Sequence, residues 1–445
     1  MIEPPSFEVA LGMELYSTTA LGVGGRLKRR FEDFLVEEIT PEGKVLEFKD
    51  WKSESSEMAV AGERSKYVTF VIQKMGLSTL DASTILAAEL KLPQHLVSYA
   101  GLKDKRAVTV QMMSIPASAA ERLRDARLSR MTIRNLCHTR HRTQIGDLWG
   151  NRFTVRLSEM DAECADALDL ARKLKQRPLL NYFGVQRFGI WRPLTHLVGR
   201  ALVKQDYEEA ARILLTLTSE YESDELTEAR KRLAIDLSPD DSILEAFPRD
   251  LSYERIVMKQ LIKHPGDFRR AFSRVPSRIL TILVHSFQSY LFNRLISLRV
   301  KSGIPIDRLE PGDFIIKLDE IHSGRDLWFY VTDQNLEERR ELVQSGEYSL
   351  AAPLPGYSTK TPQSKHSELL QNLLKDEDIR LPEFRNPDWK ALDAPGGLHL
   401  LTIVLSQIEA RCADQDLVLE FKLTKGSYAT VVMRELMKNH PINRV

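Results

Sequence analysis

Strand patterns stand at both ends of this 445-residue chain, and the stretch between Leu197 and Val300 reads almost entirely as helix. Tyr67 to Gln73 is rich in β-branched and aromatic residues, the composition of a strand. Val108 to Ile115, Arg130 to His138 and Asn151 to Leu157 read the same way, the last with alternating apolar positions, and Leu27 to Ile39 ends in a further strand-like run. Ser78 and Asp81 form a capping box that opens a helix running to about Leu90, and a second helix is expected from about Met160 to Leu174. Strand character returns only at Leu398 to Leu405 and Leu417 to Leu423. Strands and helices that mix without regular alternation predict an α+β fold on a mixed, largely antiparallel sheet with flanking helices, not a doubly wound one. The expected layout is a first domain begun by residues 1–198, an inserted domain over 199–395, and a return to the first domain over 396–445. Leu283, Phe287, Leu291 and Leu295 recur at four-residue spacing, the mark of a buried helix face. Lys52 to Lys66 and Ala351 to Lys365 read as polar loop and linker.

Composition excludes several classes. The longest apolar run, Ile279 to Phe292, carries Thr281, His285, Ser286, Gln288 and Ser289, so no membrane span is expected. The N-terminus begins with an early acid and prolines, unlike a signal peptide. Cys137, Cys164 and Cys412 are few, scattered and odd in number, so neither a disulfide framework nor a CxxC metal site is expected, and the chain reads as cytoplasmic. Cys137-His138-x-x-His141 offers too few ligands for zinc. Gly22-Val-Gly-Gly25 lacks the dinucleotide fingerprint, and no GxxxxGK[ST] loop or GxSxG elbow occurs. Net charge is only +1, but residues 101–157 hold twelve Lys/Arg against four Asp/Glu, whereas residues 219–250 hold four against ten. The first stretch suits phosphate contacts, and the second reads as a solvated face turned from any polyanion.

The sharpest local signal is AGLKDKRAVTVQ at residues 100–111. Asp104 stands among Lys103, Lys105 and Arg106, on a tight connection leading into a strand. Nearby positive charge favours the charged form of a carboxylate, and the same cations attract phosphate. Read by residue type alone this is a charged surface turn. Its full wording resembles the catalytic motif of the TruD family of tRNA pseudouridine synthases, in which the aspartate is essential, and that resemblance implies a catalytic role for Asp104.

Four more segments resemble the same family, so the likeness spans nearly the whole chain. Arg26-Leu-Lys28 followed by Glu32-Asp33-Phe34 matches its first motif, with Phe31 where proline is usual. Lys28 then matches an active-site lysine placed to keep the aspartate charged and oriented. NYFGVQRFG at residues 181–189 matches a second motif, which implies that Phe183 stacks on the target base and that Asn181 and Gln186 bind substrate. Without the motif, three aromatics in nine residues would read as core. HSFQSYLFN at 285–293 and FKLTKGSYAT at 421–430, followed by Arg434-Glu435, match the remaining segments, the latter with Thr424 in place of proline. Lys103 and Arg106 are the cations expected to hold RNA, and Arg434 is expected either to support the site or to contact phosphate.

The resemblance implies isomerisation of a tRNA uridine, at position 13 of the D arm in the family, to pseudouridine: the glycosidic bond breaks, the base turns, and C5 rejoins the ribose. Substrate and product share one composition, so stoichiometry requires no cofactor or metal. The expected partner is tRNA, and oligomeric state stays open. Two other classes compete. A non-catalytic RNA-binding protein or tRNA-folding chaperone on the same fold would bind without chemistry, and a nucleosidase would need a second carboxylate across the bond, which no obvious residue supplies.

Overall fold

The computed structural model describes residues 2–51, 59–175, 177–318, 327–405 and 407–444. The first strands in the chain are β1 (Gly24–Arg26), β2 (Phe34–Ile39), β3 (Tyr67–Met75), β4 (Ser98–Tyr99), β5 (Val108–Pro116), β6 (Met131–Thr139) and β7 (Gly150–Met160). A short β8 (Leu179–Leu180) follows, then β9 (Phe314–Lys317), β10 (Trp328–Tyr330), β11 (Tyr348–Leu354), β12 (Gly397–Leu400) and β13 (Thr402–Ile403). The last two are β14 (Ile408–Ala413) and β15 (Asp416–Thr424). Nine of them form one sheet in the order β14-β15-β7-β2-β5-β3-β6, with β1 on β7 and β4 on β5. Among the described strands of this sheet only the β2–β5 pair is parallel, and every other strand pair is antiparallel. The expected mixed, largely antiparallel α+β fold is the one observed.

Sequence explains the layers. Alternation on β7 and β15 sends Phe153, Val155, Leu157, Leu417, Leu419, Phe421 and Leu423 to one face, where the helices Cys164–Leu174 and Ala429–Met437 cover them. The Thr79–Glu89 helix starts at the expected capping box, with Ser78 accepting from the Asp81 amide and Asp81 accepting from the Ser78 amide. It buries Ala82, Leu86 and Ala87 against β3 and β5.

The middle of the chain builds a helical body around the 25-residue helix Ser277–Lys301. Leu283, Phe287, Leu291 and Leu295 all lie in its core, as their spacing predicts. Phe292 and Ile296, on another face of that helix, join a separate cluster with Leu180, Tyr182, Phe183 and Leu350. One helix therefore packs both the helical body and the segment that carries NYFGVQRFG. Among the described residues no helix is long and apolar enough to cross a membrane.

Three expectations need correction. Leu398 to Leu405 does not rejoin the large sheet: β12 pairs with β11 in a four-stranded sheet, β13 pairs with β8, and only β14 and β15 return. Ala351 to Leu354, read as linker, is the second half of β11: all four residues pair with β12, and Ala351 pairs with β9 as well. Cys164 and Cys412, 248 residues apart, form a disulfide with Cα atoms 6.0 Å apart, which ties the start of a covering helix to edge strand β14. Spacing along the chain cannot reveal a pair that only the fold brings together. Residues 52–58 of the expected polar loop lie outside the described residues.

The bridge has a measurable consequence. By closing so long a loop it restricts the unfolded chain, at a typical worth of about 2–4 kcal/mol. Cys412→Ser should lower the Tm of the oxidised protein, with no such loss when both proteins are melted in excess reductant.

Candidate active site

Asp104 lies on the connection from β4 to β5, and buried hydrogen bonds hold that connection on three sides. The Lys103 amide donates to Thr79 Oγ1 at 2.8 Å. The Thr79 hydroxyl donates in turn to Gln111 Oε1 at 2.9 Å, and Gln111 Nε2 donates to the Gly101 carbonyl at 3.1 Å. The Lys103 ammonium turns inward to Glu38 Oε2 at 2.7 Å, while Glu38 Oε1 accepts from the Met112 amide at 2.9 Å. Both charged groups of that pair are buried, at 3% and 1% side-chain exposure. The loop thereby presents the next residue, Asp104, outward, with its side chain 36% exposed.

Lys28 meets it from the other side. The lysine follows β1 with φ +57°, a left-handed conformation that costs a non-glycine residue on the order of 1 kcal/mol. Its side chain is only 4% exposed, and its ammonium lies 3.4 Å from Asp104 Oδ1 and 4.1 Å from the centre of the Phe34 ring. A cation fixed by an aromatic face and a carboxylate has little freedom. Two residues 76 positions apart thus meet at one point, Lys28 sealed and Asp104 open.

The carboxylate opens into a cleft of about 380 Å³. Phe34, Val36, Leu148 and Phe153 give it an apolar floor, and Asn151, Gln186, Ser427, Tyr428 and Thr430 give it polar walls. Tyr428 is 37% exposed, the open ring of this cleft. Asn151 holds a buried Oδ1 with no hydrogen-bond partner among the described residues. An anion beside a partly exposed aromatic residue and an apolar floor suits a flat, uncharged group with polar substituents.

Residues 10–436 match the model of the family described as tRNA pseudouridine synthase D (TruD). This chain belongs to the TruD family. A Methanosarcina mazei relative named "Probable tRNA pseudouridine synthase D" is 32% identical over 453 residues, covering 99% of both chains. One of the same name from Thermococcus onnurineus is 32% identical over 429 residues, covering 96% of this chain and 97% of its own. A crystal structure from Methanosarcina mazei that carries the TruD name superposes with a TM-score of 0.78 at 31% identity, covering 99% of this chain and all of the other. TruD proteins are isomerases that act on tRNA.

Within this TruD chain the other residues picked out by sequence fall into two groups. Gln186 is exposed and lines the cleft, and Arg106 projects from the loop into solvent with no ion pair among the described residues. The rest are buried. Phe183 is 6% exposed, with the His399 ring stacked on it at 4.4 Å and Tyr428 tilted against it at 5.9 Å, so it backs the open tyrosine instead of facing the cleft. Burial, reinforced by Arg187, pushes the His399 imidazole down to about 3, which keeps this stacked ring neutral at physiological pH. Asn181 is fully buried, and its side-chain amide donates to the Leu400 carbonyl at 3.0 Å and the Gly426 carbonyl at 3.4 Å. It anchors the Lys425–Thr430 wall from behind. Lys103 is spent on Glu38, as described.

Arg434 needs the largest correction. It is 2% exposed and bonds to Glu8 Oε2 at 2.8 Å and to the carbonyls of Leu15 and Met13 at 3.0 and 3.2 Å. A guanidinium whose donors are taken up inside the protein ties the N-terminal segment to the last helix and has none to offer a phosphate. Much of the basic stretch is likewise paired, Arg152 with Glu37 and Arg156 with Asp416, which leaves Arg106, Arg140 and Arg142 among its exposed cations. Sequence reading gave no role in the site to Tyr428, Asn151, Glu38 or Thr79. Two of them carried a usable signal: Glu38 closes the first motif, and Tyr428 is an aromatic directly after the Gly426-Ser427 turn.

Removing one member of a buried ion pair strands the other charge, at about 3–5 kcal/mol. Lys103→Met should therefore cost that much in urea denaturation. Arg106→Ala, at an exposed position, should change stability by less than about 0.5 kcal/mol.

Proposed function

We propose that this TruD chain converts uridine 13 in the D arm of tRNA to pseudouridine, with Asp104 as the catalytic carboxylate. The observation that carries the reading is the Lys28–Asp104 pair at the mouth of a cleft that has one open aromatic ring. The target nucleotide leaves its stack at a cost of a few kcal/mol and enters the cleft. Asp104 engages the ribose while the glycosidic N–C bond breaks. The freed uracil turns and its C5 bonds to the sugar carbon, with one hydrogen relocated and nothing gained or lost.

Lys28 holds the carboxylate in place and supplies fixed positive charge where negative charge is handled, the kind of preorganised electrostatic help that does most in a water-poor site. Tyr428, backed by Phe183 and His399, confines the detached base on one side, and Phe34 and Phe153 confine it from below. Gln186 and Arg106 stand at the rim, suited to flanking nucleotide and phosphate. The inserted 199–395 region, read as a second domain, forms the opposite bank for the RNA. Arg278, near the start of its long helix, already reaches across to the Tyr99 hydroxyl at 3.0 Å.

The test is incubation with unmodified tRNA transcript followed by chemical mapping of pseudouridine. Asp104→Asn should abolish product while tRNA binding stays within several-fold. Lys28→Met should lower kcat by about 100-fold or more, since a preorganised electrostatic contact is worth that much. Product at a position other than 13 would overturn the site assignment. Free uracil would mark a nucleosidase, and tight binding with unchanged RNA a chaperone.

A further inference from the structure

Beneath the Asp104 loop lies a lysine that the reaction as described does not use. Lys74, on β3, has no solvent-exposed surface. Its ammonium donates to the Leu77 carbonyl at 2.7 Å, and no carboxylate lies within ion-pairing distance of it among the described residues. The sheet register sets it beside Thr109 on β5 and Met131 on β6, and the Thr109 hydroxyl has no partner among the described residues. The charged groups that act on it are Lys103 and Asp104 from the loop and Asp81 from the start of the neighbouring helix.

Leu77 belongs to the turn on which that loop rests. Gly76, at φ +67°, donates its amide to the Ala107 carbonyl at 3.2 Å, at the far end of the loop. Thr79, two residues past Leu77, accepts from the Lys103 amide and donates to Gln111. The turn therefore holds the loop on both sides of Asp104, and Lys74 pins the turn from inside the sheet.

We propose that Lys74 is a positioning residue for the catalytic carboxylate, its buried amine fixing the Gly76–Thr79 turn that carries the Asp104 loop. Nature seldom leaves a lysine in a core without a counter-ion, and a methionine of similar length would fill this space more cheaply. The amine's contribution is a directed bond to the Leu77 carbonyl, which no apolar residue reproduces. Burial, with Lys103 nearby, pushes the Lys74 ammonium down to about 7 from its ordinary 10.5. Its penalty on folding is thus complete below about pH 7 and fades as pH rises toward 10, because over that window the unfolded chain binds the extra proton.

The inference rests on the proposed pseudouridine synthesis. In Lys74→Met, kcat should fall about 10–100-fold, the scale set by small misplacement of a reacting group, with KM and tRNA affinity within about threefold. The Tm of Lys74→Met should equal or exceed that of the wild type at pH 6, an advantage that shrinks at pH 9. A structural role alone would instead lower Tm and kcat together, and that result, or wild-type kcat, overturns the proposal. Thr79→Val and Thr79→Ser give an independent check, since only the serine keeps the hydroxyl that the Lys103 amide needs. Loss of kcat in the valine variant with recovery in the serine supports the frame, and full activity in the valine variant overturns it. Wild-type enzyme run alongside separates the two levels. No pseudouridine from wild type overturns the functional reading and this proposal with it, whereas equal product from wild type and Lys74→Met overturns the role of Lys74 alone.

Discussion

The buried pair of Lys103 and Glu38 is the contact on which the rest of the site depends. Two opposite charges removed from water gain nothing certain in stability, because desolvation offsets most of their attraction. They do reward one geometry. Glu38 sits on β2 and takes both the Lys103 ammonium and the Met112 amide, so it locks the loop to two strands at once. Those two strands, β2 and β5, are the one parallel strand pair among the described residues of the sheet. With Lys103 drawn inward, Asp104 has to face out.

The remaining parts of the site come from segments far apart in the chain, and the fold explains why they converge. β7 runs through the middle of the sheet with β2 on one side and β15 on the other. Phe34 and Val36 therefore stand across from Val155 and Phe153, and the turn after β15 brings Lys425 to Thr430 to the end of β7 that faces the loop. The NYFGVQRFG segment is held by the long helix, where Asn293 receives the Phe183 amide at 2.8 Å and donates back to the Phe183 carbonyl at 3.0 Å. Asn181 then clasps the Gly426 turn. The long helix thus supports one wall of the cleft and the nine-stranded sheet the other.

Much of this was legible in the chain. Strand alternation and the capping box at Ser78 marked real elements, because each is dictated by residues close in sequence. The four-residue stripe on the long helix was legible for the same reason. Charge was read less well. Lys103, Arg434, Arg152 and Arg156 look alike in a sequence, and nothing local says that Glu38, Glu8, Glu37 and Asp416 will claim them. Phe183 showed the same limit: a motif can say that an aromatic belongs at the site, but not that His399 covers its face while Tyr428 is left open. The Cys164–Cys412 bridge and the pairing of β12 with β11 are long-range facts of the same kind.

The central claim is that the loop bearing Asp104 is set in place before any RNA arrives. Amide hydrogen exchange of residues 101–107 in the free protein measures this directly. The Lys103 amide, bonded to the buried Thr79 hydroxyl, should exchange as slowly as the amides inside β5. Exchange of Lys103 as fast as that of an exposed loop residue would show a site assembled only on binding, and would contradict the account.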